Sequence, residues 1–266
     1  MRGQDWYGAV LALGLWAGAA HGAGYDGDRE ELFAGGPTRA AAIEIAFGAD
    51  FPHVENAKLA AWPHEADAYV VAAHATEIDP PNEVGGPIEL HVAKLKRAGK
   101  ALRLVARGRH RFEGMRWHNS LAFDFAPYRL RAGETAIGLR LHTSYSSTSY
   151  AANWSGLFLF RAVGNQLRPV FEGMMDRTMI EHTSTPEATG DDKKDGGTDA
   201  NDNESVLAAV ILIGKPGPDG FNDLLYKATE GERPAGSSEA LKDAKTHTEV
   251  YRWNGQRYIQ PNTKAN

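Results

Sequence analysis

The 266-residue sequence contains no cysteine. That excludes disulfides, thiol nucleophiles, thiolate metal sites and lipid attachment through a cysteine. A chain in an oxidising compartment that forgoes disulfides draws its stability from an apolar core. A large excess of charge of either sign is also absent, although charged residues make up an ordinary 24% of the chain. The 34 acidic and 29 basic residues leave a formal charge of −5, with no concentrated basic face for a polyanion, so nucleic acid is not an expected partner. Also missing are Gly-x-Ser-x-Gly, Ser-x-x-Lys, a Walker loop and His-Glu-x-x-His, which removes the commonest signatures of serine, P-loop and zinc chemistry.

What is there begins with a leader. Arg2 precedes an uncharged apolar stretch from Trp6 to Ala20, and Ala20-His21-Gly22 stands before Ala23. Small residues at minus three and minus one suit signal peptidase, so residues 1–22 read as a signal peptide. The stretch is shorter than the roughly 20 residues that span a bilayer. The processed chain is therefore expected to be periplasmic or secreted and not membrane-spanning. Residues 23–39 read as an N-terminal arm or short helix, 40–260 as one β-rich domain and 261–266 as a tail.

From Ile43 onward, short apolar or alternating runs are bounded by turn residues, the pattern of successive strands. The expected strands are Ile43–Phe47, Ala68–Ala75, Ile88–Lys96, Ala101–Arg107, Leu121–Phe125, Ala136–His142, Leu157–Ala162, Leu167–Phe171, Val206–Ile213, Asp223–Ala228, Glu249–Trp253 and Arg257–Gln260. The fold class is all-β, built of meander and hairpin units arranged as an irregular β-propeller-like or β-sandwich domain. A short pattern recurs: an apolar residue, a basic residue, two more residues and a glycine, at Leu95–Gly99, Phe160–Gly164 and Tyr251–Gly255. Glycine there suits a tight hairpin, since it adopts positive φ without a Cβ clash. A second parallel sets Ile43–Phe47 beside Leu121–Phe125.

Residues 176–204 are mostly polar and read as a disordered acidic insertion, because such a segment buries too little surface to offset its ordering entropy. Asp191, Asp195, Asp199 and Asp202 within it have the oxygen donors that calcium prefers, although Lys193 and Lys194 oppose a cation. No other cofactor is expected. His74, His91 and His142 fall singly in predicted strands, so a zinc site would need the fold to gather them. Glu113, Asp124 and Glu172 are candidates for a pair of acid–base carboxylates.

Thr143–Gly156 reads Thr-Ser-Tyr-Ser-Ser-Thr-Ser-Tyr-Ala-Ala-Asn-Trp-Ser-Gly between two good strands. Tyrosine and tryptophan offer rigid contact area at low entropic cost, and serine and asparagine offer adaptable hydrogen bonds. Tyr145, Tyr150 and Trp154 are the expected ligand-binding residues of this loop. Trp117, with His118 and Asn119, has the same character.

Two resemblances add to this reading. Leu121–Leu130 followed by Thr135–Arg140 resembles a pattern in exported, functionally uncharacterised bacterial β-repeat proteins. Pro218-Asp219-Gly220-Phe221-Asn222-Asp223-Leu224-Leu225 is similar to the core of FG-GAP propeller repeats, which implies calcium held by an aspartate-rich loop before it. Gly214-Lys215-Pro216-Gly217 occupies that position here and supplies no carboxylate. The functional expectation is an exported, non-catalytic binding protein for an envelope ligand or protein. The alternative is an envelope glycan or peptide hydrolase with paired carboxylates.

Overall fold

The computed structural model describes residues 31–53, 56–76, 86–114, 118–147, 150–181 and 202–260. Within them one helix, α1 (Arg39–Phe47), precedes the strands. These are β1 (Lys58–Ala61), β2 (Ala68–Thr76), β3 (Gly86–Ala98), β4 (Ala101–Gly114), β5 (His118–Asp124), β6 (Arg129–Arg131), β7 (Glu134–Thr135), β8 (Ile137–Ser146), β9 (Tyr150–Val163), β10 (Gln166–Glu181), β11 (Asn203–Pro216), β12 (Asn222–Pro234), β13 (Lys242–Trp253) and β14 (Tyr258–Ile259). Apart from α1 the fold is all-β. Twelve strands form one sheet that does not close, with β6 and β7 as a separate ribbon. Of the two arrangements expected from the patterning, this is the sandwich-like one.

The sheet contains three antiparallel runs: β1-β2-β3-β4, β5-β8-β9-β10 and β11-β12-β13-β14. In each, the turn between the third and fourth strand holds a positive-φ glycine: Gly99 (65°), Gly164 (60°) and Gly255 (97°). The first two open two-residue turns, between Ala98 and Ala101 and between Val163 and Gln166. A first-position glycine with positive φ is the requirement of a type II′ hairpin, whose twist matches that of the strands. The first two runs meet where β4 crosses β10 through a single parallel bridge, Arg107 to Gln166. A Cβ on Gly108 would lie 1.8 Å from the Leu167 carbonyl oxygen, so this crossing needs a residue without a side chain.

Three cores hold the runs together. The first lies between Val70, Ala72, Ile88, Leu90 and Val92 on one side and Leu139, Leu141, Phe158 and Phe160 on the other. The second joins Leu157, Leu159, Phe171 and Met175 to Leu224, Tyr226, Ala228 and Tyr258. The third packs Ala42, Ile43 and Ala46 of α1 on Tyr69, Val71, Ala73, Ala93 and Leu95. Alternate residues of β9 thus enter different cores, which is why Leu157-Phe158-Leu159-Phe160 is buried throughout.

Two expectations are corrected. Ile43–Phe47 is helix rather than strand, so its parallel with Leu121–Phe125, which is largely strand, dissolves. Thr38 caps the helix, its hydroxyl accepting from the Ala41 N–H at 3.3 Å, and the Gly48 N–H closes the far end on the Glu44 carbonyl at 2.7 Å. Alanine at 40, 41, 42 and 46 favours helix, and the buried set Ala42, Ile43, Ala46 marks one helical face. The two ends of the span 176–204, expected as a disordered insertion, are strand, and residues 182–201 lie outside the described residues. β10 continues through Glu181 and β11 starts at Asn203, with Asp176 to Ile180 paired to Ala208 back to Glu204.

Candidate functional site

The core between β2–β4 and β8–β9 reaches Ile88, Phe112, Leu141 and Phe158. Beyond it β8, β9 and β10 continue with shorter and more polar side chains. The stretch Thr143–Gly156, expected as a loop, is the end of this hairpin: β8 runs to Ser146 and β9 resumes at Tyr150. The sequence misleads here because serine, threonine and asparagine resemble loop residues, while Thr143 to Ser146 still pair with Trp154 back to Ala151 in the ladder.

Register sorts this end into two sides. Asn119, Thr143, Trp154 and Arg177 form one row across β5, β8, β9 and β10. Ser120, His142, Ser155 and Asp176 form the next row, whose side chains leave the opposite side because residues alternate along a strand.

On the first side Trp154 stands between two spaces. One of 130 Å³ is bordered by Ile88, Phe112, Thr143, Phe158, Glu172 and Met174. The other, of 250 Å³, is bordered by Tyr150, Ala152, Met174, Arg177 and Met179. Tyr145 and Tyr150 pack against each other at a ring separation of 4.9 Å. Methionines here give a compliant apolar wall. Glu172 is held by His110 at 3.0 Å. Within this row Thr143 donates to the Asn119 Oδ1 at 2.7 Å. Asn119 Nδ2, Trp154 Nε1 and Arg177 Nε are buried with no acceptor among the described residues. Buried donors are nearly always paired.

The second side is polar. A space of 240 Å³ is bordered by Ser120, His142, Asn153, Ser155, Asp176 and Thr178, and Thr143 and Trp154 of the neighbouring row border it too. Ser155 donates to Asp176 at 2.6 Å, and Arg140 links Asp176 (3.3 Å) to Asp124 (2.7 Å), which also accepts from the Tyr128 hydroxyl at 2.9 Å. Burial, reinforced by Asp124, pushes the Tyr128 phenol up. Burial, with Arg140 adding to it, holds His142 below its ordinary value, so the imidazole is neutral at pH 7.

Of the expected ligand-binding residues, Tyr145, Tyr150 and Trp154 are brought to this one end of the sheet, while Trp117 lies outside the described residues. Asp191, Asp195 and Asp199 lie outside them too. Asp202 is described and is 2% exposed, its carbonyl accepting from Ala235 at 2.9 Å. Beside it Glu204 is buried and paired with Arg233. Asp124 and Glu172 leave opposite sides of the sheet, so they do not form an acid–base pair, and the Glu113 side chain is outside the described set. The three strand histidines also diverge. His74 shares a row with Leu90 of the first core, His91 shares one with Ala73 of the third, and His142 lies on the polar side just described. Among the described residues no three histidine, aspartate or glutamate side chains are grouped to hold a metal, and no helix is long and apolar enough to cross a membrane.

Sequence reading missed Arg177, Met174 and Met179. Arg177 and Met179 fell inside the span taken for an insertion. The signal that finds Arg177 and Met179 is their alternation with Asp176 and Thr178, which continues β10 past its apolar part, whereas the bulge between Met174 and Asp176 brings Met174 to the side of Arg177. The chain matches no protein-family model, and neither the curated proteins nor the solved structures contain a match to it.

Proposed function

We propose that the protein is a non-catalytic binding protein of the cell envelope or exterior, holding its ligand in the groove on the Trp154 side of β8–β10. One observation carries this reading: Trp154 borders both the 130 Å³ and the 250 Å³ space, so a single half-buried indole divides a groove with apolar walls and a few polar groups. That is the usual make-up of a small-ligand site. The compartment rests on the leader reading of residues 1–22 alone.

The test uses N-phenyl-1-naphthylamine, a neutral apolar dye whose fluorescence rises on leaving water. It should bind the protein at one site. Replacing Tyr145, Tyr150 and Trp154 together by alanine should abolish that signal while the melting temperature moves by a few degrees at most. Undiminished dye binding in the triple variant would overturn the assignment.

A further inference from the structure

We infer that the ligand of this groove carries a single carboxylate on an apolar body, with the carboxylate seated on the Trp154–Arg177 row. The inference rests on the proposed binding function and adds the chemical class of what is bound.

Three observations meet at this row. First, the unpaired atoms are all donors: Trp154 Nε1, Arg177 Nε and Asn119 Nδ2. An indole N–H and a guanidinium can only donate, so whatever completes them must accept. Second, the donors lie on one cross-strand row, where directly opposite residues stand about 5 Å apart. Trp154 and Arg177 are adjacent in this row and border the same 250 Å³ space, and Thr143 orients Asn119 through its Oδ1. Third, the surroundings match one negative charge. Among the described residues that border the groove Arg177 is the one guanidinium, and Glu172 borders its other end. A dianion such as a phosphate monoester would meet one cation and one opposing carboxylate, whereas a monocarboxylate is neutralised by Arg177 alone. The remaining border of the 250 Å³ space, Tyr150, Ala152, Asn153, Met174 and Met179, is apolar apart from the tyrosine hydroxyl and the Asn153 amide and fits a hydrocarbon or aromatic body.

The experiment is calorimetric titration with three probes of equal chain length: octanoate, 1-octanol and octylammonium. Octanoate should bind, octanol more weakly, and octylammonium not at all. Arg177→Met keeps an apolar stem and should weaken octanoate by about ten- to hundredfold, the range for losing a charge-assisted hydrogen bond, with a much smaller change for octanol. Trp154→Phe keeps an aromatic ring but removes the N–H, and should weaken octanoate several-fold more than it weakens octanol. Octanol binding as tightly as octanoate, with neither variant discriminating them, would overturn the carboxylate assignment. Failure of all three octyl probes would overturn it too. In either case, naphthylamine binding that still depends on Tyr145, Tyr150 and Trp154 leaves the groove standing, and its loss removes both readings.

Discussion

Strand β9 can be compared with itself. Its second half, Leu157 to Phe160, is buried on both sides between two cores, while its first half, Tyr150 to Gly156, has side chains only partly covered except Ala152 and Ser155. The backbone ladder is continuous across both halves. What changes is the layer stacked on it. Where β2–β4 and β12 cover the sheet, the side chains are large and apolar. Where that cover ends, they become Tyr, Asn, Trp and Ser, and buried donors without acceptors among the described residues occur there. Stability is concentrated at one end of the strand, and recognition is assigned to the other.

Substitutions along this contrast should separate the two roles. Phe160→Ala, in the doubly covered half, should cost about 3–5 kcal/mol, read as a lower urea midpoint. A loss below about 1 kcal/mol would break the comparison. Gly108→Ala places a Cβ against the Leu167 carbonyl where β4 crosses β10 and should cost about 3 kcal/mol through forced separation of the crossing, again by urea unfolding. Trp154→Ala, in the open half, should cost no more than about 1 kcal/mol and yet remove naphthylamine binding.

The smallest effect is a pH dependence that belongs to the covered region. His91 packs at 5.1 Å from the Phe51 ring and is held below its ordinary value chiefly by burial, with His53 and Arg109 adding to that and Glu89 at 3.0 Å opposing it. Its folded pKa lies below its unfolded one, so the unfolded chain binds more protons in the interval between them. Stability should therefore be intact above about pH 6.5 and decline as pH falls below it. His142, shifted the same way by burial, adds to the decline. His91→Gln should flatten part of this slope in urea titrations at pH 7.5 and 5.5, and an unchanged slope would show that burial of His91 carries no proton linkage.

Much of the fold is legible in the primary structure. Eleven of the twelve expected segments are strands or contain them, because alternation or an apolar run survives wherever a face is covered. Most observed strands are longer than those expected, although β14 is shorter. β4 extends from Arg107 to Gly114, β9 begins at Tyr150 rather than Leu157, and β10 reaches Glu181. In each case the added part has lost its cover on at least one side, and with it the apolar residues by which a strand is recognised. The same cause hid Arg177. Ile43–Phe47 failed differently, since an alternating run with alanine between its large residues is equally apolar at period two and at period 3.6, and the cap at Thr38 decided for helix.

The amino-acid order by itself determined that this would be a sheet protein with glycine at Gly99, Gly164 and Gly255 turns, because positive φ and period-two burial are local requirements that each segment states for itself. It also placed Tyr145, Tyr150 and Trp154 together as aromatic residues among polar ones. Only the tertiary structure decided that Asn119, Thr143, Trp154 and Arg177 share one row and that Asp124 and Glu172 do not share a side. The reason is geometric: row and side follow from register between strands far apart in the chain, and the two bulges in β10, between Pro169 and Phe171 and between Met174 and Asp176, set that register.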